Sequence, residues 1–457
     1  MENDVPRVGL KPHLPLIVGV LVVLIGVIVL AVQAHHKIQH NMGRHEHIDA
    51  FDSYMKVLPG FLYQHKPYTS ERFPLPPFAM LFVAPYTHLS RPNAQAAWVL
   101  TKAVMIIGIF MLALSIVRRA GGDVPLPVLL LVCAGWFFPV IGDVQEGQMN
   151  LLMLLPLAAG LWMAQVETGW ADAAAGLLVA MAICIKVTPL AFVAFFVYRR
   201  RWRITAWLLA GIGLWLFAVP AMVFSWRQNI AWLGQWSHMM LKPYLVHGAV
   251  KFSNGESIPE FVKRLLSHSP AWVNKPHGLT EPHYINIVNL SSGAVEWISR
   301  GILLMLAVGG AWWARRAMPS FRCRRYVMEI ACVGAFMLWA SERTWVPHYV
   351  TLIFALMAVG MIAADAEASP AARGRAWGAL GLTAFFMLWT SDIAKVLGHN
   401  GRHYVNVFDV VLWSSLALVL AMMFSGYLPA VADRAWDGKA IKPKATGNNI
   451  GEVIHGS

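Results

Sequence analysis

The sequence is short of charge. Only 13% of its 457 residues are Asp, Glu, Lys or Arg, about half the ~25% of soluble domains. No polar block is long enough to fold as a separate soluble domain. Cysteine is scarce too: Cys133, Cys184, Cys323 and Cys332 each lie in an apolar run or a basic loop without paired spacing. That pattern excludes a disulfide frame or a cysteine zinc site and reads as buried thiols. The chain has no glycine-rich nucleotide loop after a strand, no nucleophile elbow and no His-Glu-x-x-His motif, so a nucleotide-sugar donor is not indicated. There is no fixed short-period repeat.

What is present is apolar length. The chain is 57% hydrophobic with mean hydropathy +0.54, and runs long enough for a bilayer recur throughout. The expected class is an all-α polytopic membrane protein, with one integrated domain over 1–427 and a disordered cytoplasmic tail over 428–457. About twelve spans are expected, near 14–34, 95–118, 125–141, 147–165, 171–185, 187–199, 203–225, 298–316, 326–341, 348–364, 374–393 and 405–425. The first run is too long for a signal-peptide core and reads as a retained anchor. Segment 76–90 is apolar but carries Pro76, Pro77 and Pro85, and is expected as a re-entrant or surface helix.

The net charge of +13 sits at helix ends, in Arg118-Arg119, 199–203, Arg315-Arg316 and 322–325. Such placement orients a membrane protein and meets anionic headgroups. No basic face is interleaved with stacking aromatics, so nucleic acid is not expected as a partner. With both termini cytoplasmic, every basic cluster falls inside, and the long loops 35–94 and 226–297 fall outside. Membrane lipids are the expected surroundings.

The unexplained polar residues then gather at one side: Asp49 and Asp52, Asp143 to Asn150 in GDVQEGQMN, Lys186 before Pro189, Asn254 to Arg264, and Glu342, Arg343 and His348 in SERTWVPHY. Ionisable groups at membrane depth default to function. Each has a plainer reading: Gln148 and Asn150 as interhelical bonds, Lys186 as a snorkelling side chain, His348 as an interfacial histidine, Asp49 or Asp52 as a helix cap. As a group they have a chemical logic. A carboxylate takes a proton from an acceptor hydroxyl, and cations and histidine hold a phosphate leaving group. One base facing one phosphate suits inverting glycosyl transfer. A second carboxylate beside the first would suit a retaining route, and Asp52 keeps that open. The histidines 35, 36, 40, 45 and 47 are expected as solvated loop residues rather than metal ligands.

Four stretches resemble glycosyltransferase family 87, integral-membrane enzymes of the GT-C fold that include polyprenyl-phosphate-mannose-dependent mannosyltransferases. FPLPPFAMLFVAPYTHLSRPNAQAAW is similar to the family's Tyr-Pro-Pro-Leu segment and Ala-x-x-x-Trp helix, with Leu75 replacing tyrosine. EGQMNLLMLLPLAAGLW and AGLLVAMAICIKVTPL are similar to its Gly-Gln-x-Asn and Lys-x-x-Pro helices, through Gly147, Gln148, Asn150, Lys186 and Pro189. SNGESIPEFVKRLL resembles the Asn-Gln-Ser-Leu segment with its later arginine. WVPHYVTLIFAL resembles the Trp-x-His-His-Tyr segment, with Pro347 replacing the first histidine. The similarity covers about 14–364.

The resemblance implies a GT-C-type helical bundle with extracytoplasmic loop helices, in a bacterial inner membrane. It implies a catalytic aspartate in the first outer loop: Asp49 by its distance to Pro67-Tyr68, Asp52 by its nearness to Tyr54. It places His348 near the donor phosphate. On physical grounds Lys186, Arg264 and Arg343 are expected to join His348 in holding that phosphate in place of a metal, with Gln148, Asn150, Tyr54 and Asn254 as further expected substrate contacts. It implies no metal and no cofactor beyond the lipid-linked donor. The expected activity moves a hexose such as mannose from a polyprenyl-phosphate donor to a glycolipid or glycan acceptor at the outer face. Two other readings stay open: a transporter or lipid-linked-sugar flippase, and a glycan ligase or polymerase with a pyrophosphate-lipid donor.

Overall fold

The structure, a computed structural model, describes residues 49–64, 66, 73–243, 255–274, 281–318, 320–390 and 405–425, with Ile25, Gly26, Val32 and Val396. The histidine stretch 35–47, Pro67-Tyr68, Asn254, most of the first expected span and the C-terminal tail lie outside these residues.

Helices α1 (Ala50–Gln64) and α2 (Pro77–Val83) precede the bundle. At ~1.5 Å per residue α2 is only about 10 Å long, too short to cross a bilayer. Its backbone tightens into a 3-10 turn at Ala84–His88. Helices α3 (Arg91–Arg119), α4 (Leu126–Gln145), α5 (Asn150–Ala164), α6 (Gly169–Ile185), α7 (Thr188–Tyr198) and α8 (Trp202–Phe224) follow. Proline stands in the first turn of α2, α3 and α4, where its missing N–H has no helical partner in any case. Helix α3 ends on Arg118-Arg119, ahead of Gly121 at φ +72°, basic residues and a left-handed glycine closing a C-terminus. Helices α5, α6 and α8 lie very close. A Cβ at Gly160 would come within 3.0 Å of the Ala175 carbonyl, and one at Gly176 within 2.6 Å of the Ile204 carbonyl. Small residues at such crossings let backbones approach inside a membrane.

Beyond α8 come α9 (Trp226–Trp236), α10 (Ile258–Leu266), strands β1 (Trp272–Asn274) and β2 (Glu281–His283), then α11 (Ser292–Trp313), α12 (Arg324–Ala340), α13 (Val346–Ala364), α14 (Pro370–Trp389) and α15 (Val410–Met423). The β1–β2 pair joins Trp272 to His283 antiparallel and is the only strand pairing among the described residues. The two long loops pack on each other: Trp232 and Trp236 of α9 donate to the carbonyls of Lys66 (3.1 Å) and Pro74 (3.0 Å).

Among the described residues five helices, α3, α4, α8, α11 and α13, are long and apolar enough to cross a bilayer; α5, α6, α7 and α15 are apolar but shorter. Eleven of the expected spans coincide with helices, their ends differing by a few residues. The length and apolarity of a span are met by fewer: α5, α6, α7, α12 and α15 are each 17 residues or shorter, and α14 carries Arg373 and Arg375 near its start. Helix α13 is the central pillar, its apolar window 94% buried, whereas that of α11 is 11% buried. The exposed Leu304, Met305, Val308 and Trp312 of α11 suit a lipid-facing surface.

The bundle has two polar ends. At one, Arg199 pairs with Glu329, Arg201 with Glu167, and Arg324 with Asp365. At the other, the end of α4 meets the starts of α1, α5 and α13 and the end of α6.

Candidate active site

Asp49 stands immediately before α1 and is 6% exposed. Its Oδ1 accepts from the Asp52 backbone N–H (2.8 Å) and from the Gln95 side-chain amide (3.1 Å). It therefore caps α1 with one oxygen, and its Oδ2 makes no hydrogen bond to a described residue. The surrounding contacts fix its place. The Ala50 N–H donates to the Glu146 carbonyl (2.9 Å), and the Phe51 ring stacks on Trp98 of α3 at 4.8 Å. Gly147, at φ +62°, lies directly against it: a Cβ there would sit 2.7 Å from Asp49 Cγ and from the Phe51 nitrogen. Only glycine meets both demands.

Asp52 has a different surrounding. Its carboxylate is gripped by Arg91, Nε to Oδ1 at 2.7 Å and an Nη to Oδ2 at 2.8 Å, and Lys56 approaches Oδ2 at 2.9 Å. A forked arginine pair of this kind fixes geometry and ties α1 to the start of α3.

A chain of polar contacts runs inward from there. Lys102 and Asp143 form a pair at 2.7 Å, with side chains 1% and 0% exposed. Asp143 also accepts from the Asn150 backbone N–H (3.1 Å). The Asn150 side chain donates to the Pro347 carbonyl (3.2 Å) and accepts from Lys186 Nζ (2.6 Å). Lys186 Nζ lies 2.5 Å from His348 Nε2, while the Trp345 N–H points at His348 Nδ1 from 3.4 Å. So the Gly-Gln-x-Asn turn, the Lys-x-x-Pro break and the histidine segment, far apart in sequence, meet in one cluster. The Gln148 side chain is half-buried and makes no hydrogen bond among the described residues.

Tyr54 packs edge-on against Phe73 at 5.2 Å. Burial, then the Asp143 and Asp49 carboxylates, hold its hydroxyl well above the usual phenol range. It therefore stays protonated in the field of both acids. Arg264 sits in a neighbouring buried cluster: it pairs with Asp409 and donates to the Gly255 carbonyl at 2.7 Å. That cluster adjoins the site through Glu256, whose carbonyl accepts from Tyr349 (2.5 Å) and whose N–H donates to the Thr344 carbonyl (2.5 Å). Arg343 lies half-buried on the same 341–345 loop. Among the described residues no group of three or more His, Cys, Asp or Glu is arranged to hold a metal ion.

Four contributors escaped the sequence reading: Gln95, Arg91, Lys102 and Asp143 as a pair member. Gln95 lies three residues before Trp98, one helical turn of α3, in the Ala-x-x-x-Trp stretch. Lys102 carried its own signal, a cation inside the apolar run WVLTKAVMIIG, which default reasoning on intramembrane charge would have flagged.

Two mannosyltransferases are similar to the chain, both named polyprenol-phosphate-mannose-dependent alpha-(1-2)-phosphatidylinositol mannoside mannosyltransferase. The one from Mycobacterium tuberculosis is 22% identical over 305 residues, 64% of this chain and 62% of its own. The one from Mycolicibacterium smegmatis is 22% identical over 311 residues, again 64% and 62%. The match thus spans under two thirds of these relatives' length. No solved structure matches the chain. The family model of glycosyltransferase family 87 matches residues 73–341, which include Lys102, Asp143, Asn150 and Lys186 but not Asp49, Asp52, His348 or Asp409. The chain belongs to glycosyltransferase family 87.

Proposed function

We propose that the protein is an inverting glycosyltransferase that moves a sugar, mannose or another hexose, from a polyprenyl-phosphate donor to a glycolipid or glycan acceptor. The observation that carries this is the pairing of Asp49, with one oxygen held and the other without a hydrogen bond among the described residues, with a Lys186–His348 pair in the same polar cluster. Asp49 Oδ2 takes the proton of the acceptor hydroxyl, and that oxygen attacks the anomeric carbon from the face opposite the phosphate. The bond from that carbon to the phosphate oxygen breaks with its electron pair remaining on the lipid phosphate. The charge gained there is met by N–H groups of Lys186 and His348. Gln148 and the Tyr54 hydroxyl are the further groups with hydrogen-bonding capacity toward the sugars. The engagement of Asp52 by Arg91 and Lys56 favours a single base over a retaining pair. The donor and acceptor classes are supported by what the two relatives' names say of those proteins.

The basic clusters favour an arrangement with both termini cytoplasmic and the Asp49 cluster at the outer face of a bacterial inner membrane. The test is transfer by purified protein in detergent from polyprenyl-phosphate mannose carrying a radiolabel to total membrane lipid. Wild type and Asp49→Asn are compared, with EDTA as a third arm. Wild type makes a labelled product with inverted anomeric configuration, and Asp49→Asn does not. Equal transfer by both proteins overturns Asp49 as base; no transfer from any polyprenyl-phosphate sugar overturns the donor class.

A further inference from the structure

Lys186 lies between α6 and α7, beyond the ends of both apolar segments. Its hydrogen-bond partners are the Asn150 side-chain oxygen at 2.6 Å and His348 Nε2 at 2.5 Å, both uncharged acceptors or donors. The carboxylate that acts on it, Asp143, is already paired with Lys102. Asp49 lies further along the cluster and is held by Gln95. Glu342, beyond the end of α12, answers instead to Glu296, Arg300 and Lys263. Among the described residues no anion therefore touches the Lys186 nitrogen.

The hydrogen-bond directions say the same. A neutral imidazole has one N–H and one acceptor nitrogen. The Trp345 N–H points at His348 Nδ1, which makes Nδ1 the acceptor and leaves the ring proton on Nε2. Nε2–H then donates to Lys186 Nζ, and only an amine has a lone pair to accept it. An ammonium facing an imidazolium at this separation would set two cations in contact.

We propose that Lys186 rests as an uncharged amine and takes up a proton when a phosphate monoester or diester enters, so that the site captures its anion together with one proton. The proposal rests on the donor-phosphate reading above and deepens it. The resting cluster then carries no unpaired buried cation, and the positive charge appears only when a phosphate is there to meet it. Burial draws the Lys186 ammonium down to about 7, against the upward pull of Asp143, so the amine form prevails above neutrality.

The test is isothermal titration calorimetry on the full chain in detergent, with farnesyl phosphate as a short isoprenoid probe, at pH 8 in HEPES and in Tris. Phosphate monoesters lose their second proton at about pH 6, so the probe is a dianion throughout. Wild type shows uptake of about one proton per probe bound, and its affinity falls about tenfold per pH unit from 7.5 to 9. Lys186→Arg, whose charge is permanent, binds with no uptake and a flat pH profile. Wild-type binding with no buffer-dependent enthalpy overturns the proposal, and so does uptake that persists in Lys186→Arg. If Lys186→Arg does not fold, the wild-type buffer pair and pH series decide alone. Wild type that binds no farnesyl phosphate overturns the donor reading itself. Inorganic phosphate is a parallel arm: weaker binding supports a lipid-linked ligand, and binding as tight as that of farnesyl phosphate overturns it.

Discussion

The two ends of the bundle handle charge in opposite ways. At the arginine end, cations meet carboxylates, backbone carbonyls or aromatic faces. Arg199 reaches Glu329 at 2.7 Å through Nε and the carbonyls of Arg316 and Ala314 at 2.8 and 2.7 Å. Arg324 meets Asp365 at 2.6 Å, and Arg119 lies over the Trp162 ring at 3.8 Å. At the other end, Lys102 and Asp143 neutralise each other, while Asp49 and Lys186 are positioned by neutral groups: an amide, a backbone N–H, an asparagine and a histidine. Saturated charges hold a fold together; a carboxylate and an amine held in place by neutral groups are available to a substrate. Charge count alone would have pointed to the wrong end.

Breaking the comparison at its catalytic member has the largest expected effect. Asp49→Asn lowers transfer by about 100- to 10,000-fold and leaves the melting temperature near that of wild type, read by thermal unfolding in detergent. Next is the buried ion pair at the other end. Arg199→Met takes from Glu329 its two-pronged partner, leaving Arg325 at 3.4 Å, and destabilises the fold by up to about 3–5 kcal/mol, seen as a lower unfolding midpoint, while KM for the donor in the folded fraction is unchanged. Gly147→Ala joins a strained φ to a Cβ clash with Asp49. A strain of about 1–3 kcal/mol placed there lowers kcat by tenfold or more, with little change in donor KM.

The smallest effect sharpens the contrast through pH. Burial raises the Glu167 pKa, but the Phe321 N–H, the Ser320 hydroxyl and Arg201 outweigh it, so the carboxyl stays below its ordinary range. A depressed carboxylate contributes stability above its unfolded pKa, and that contribution is lost as pH falls through the folded value. Glu167→Gln therefore lowers the melting temperature slightly at pH 7, and the difference from wild type closes on acidification below about pH 4.

The sequence was informative where a single stretch carries its own pattern. Apolar runs placed eleven helices, and the Gly147, Asn150 and Lys186 motifs led to the cluster. It was silent where meaning depends on a distant partner. Arg264 and Lys186 look alike as cations beside apolar segments, yet among the described residues Arg264 finds Asp409 and Lys186 hydrogen-bonds only neutral groups. Asp49 and Asp52 are three residues apart and differ through Arg91 and Gln95, which α3 brings to them. The role of Gly147 is equally tertiary: its φ belongs to the turn, but the reason no side chain fits is Asp49.

The most direct test measures transfer and unfolding together for wild type, Asp49→Asn and Arg199→Met. The account predicts a crossed result: Asp49→Asn folded and inactive, Arg199→Met destabilised and active per folded molecule. An active Asp49→Asn, or an Arg199→Met that stays fully folded but loses transfer, would contradict the division of labour between the two ends.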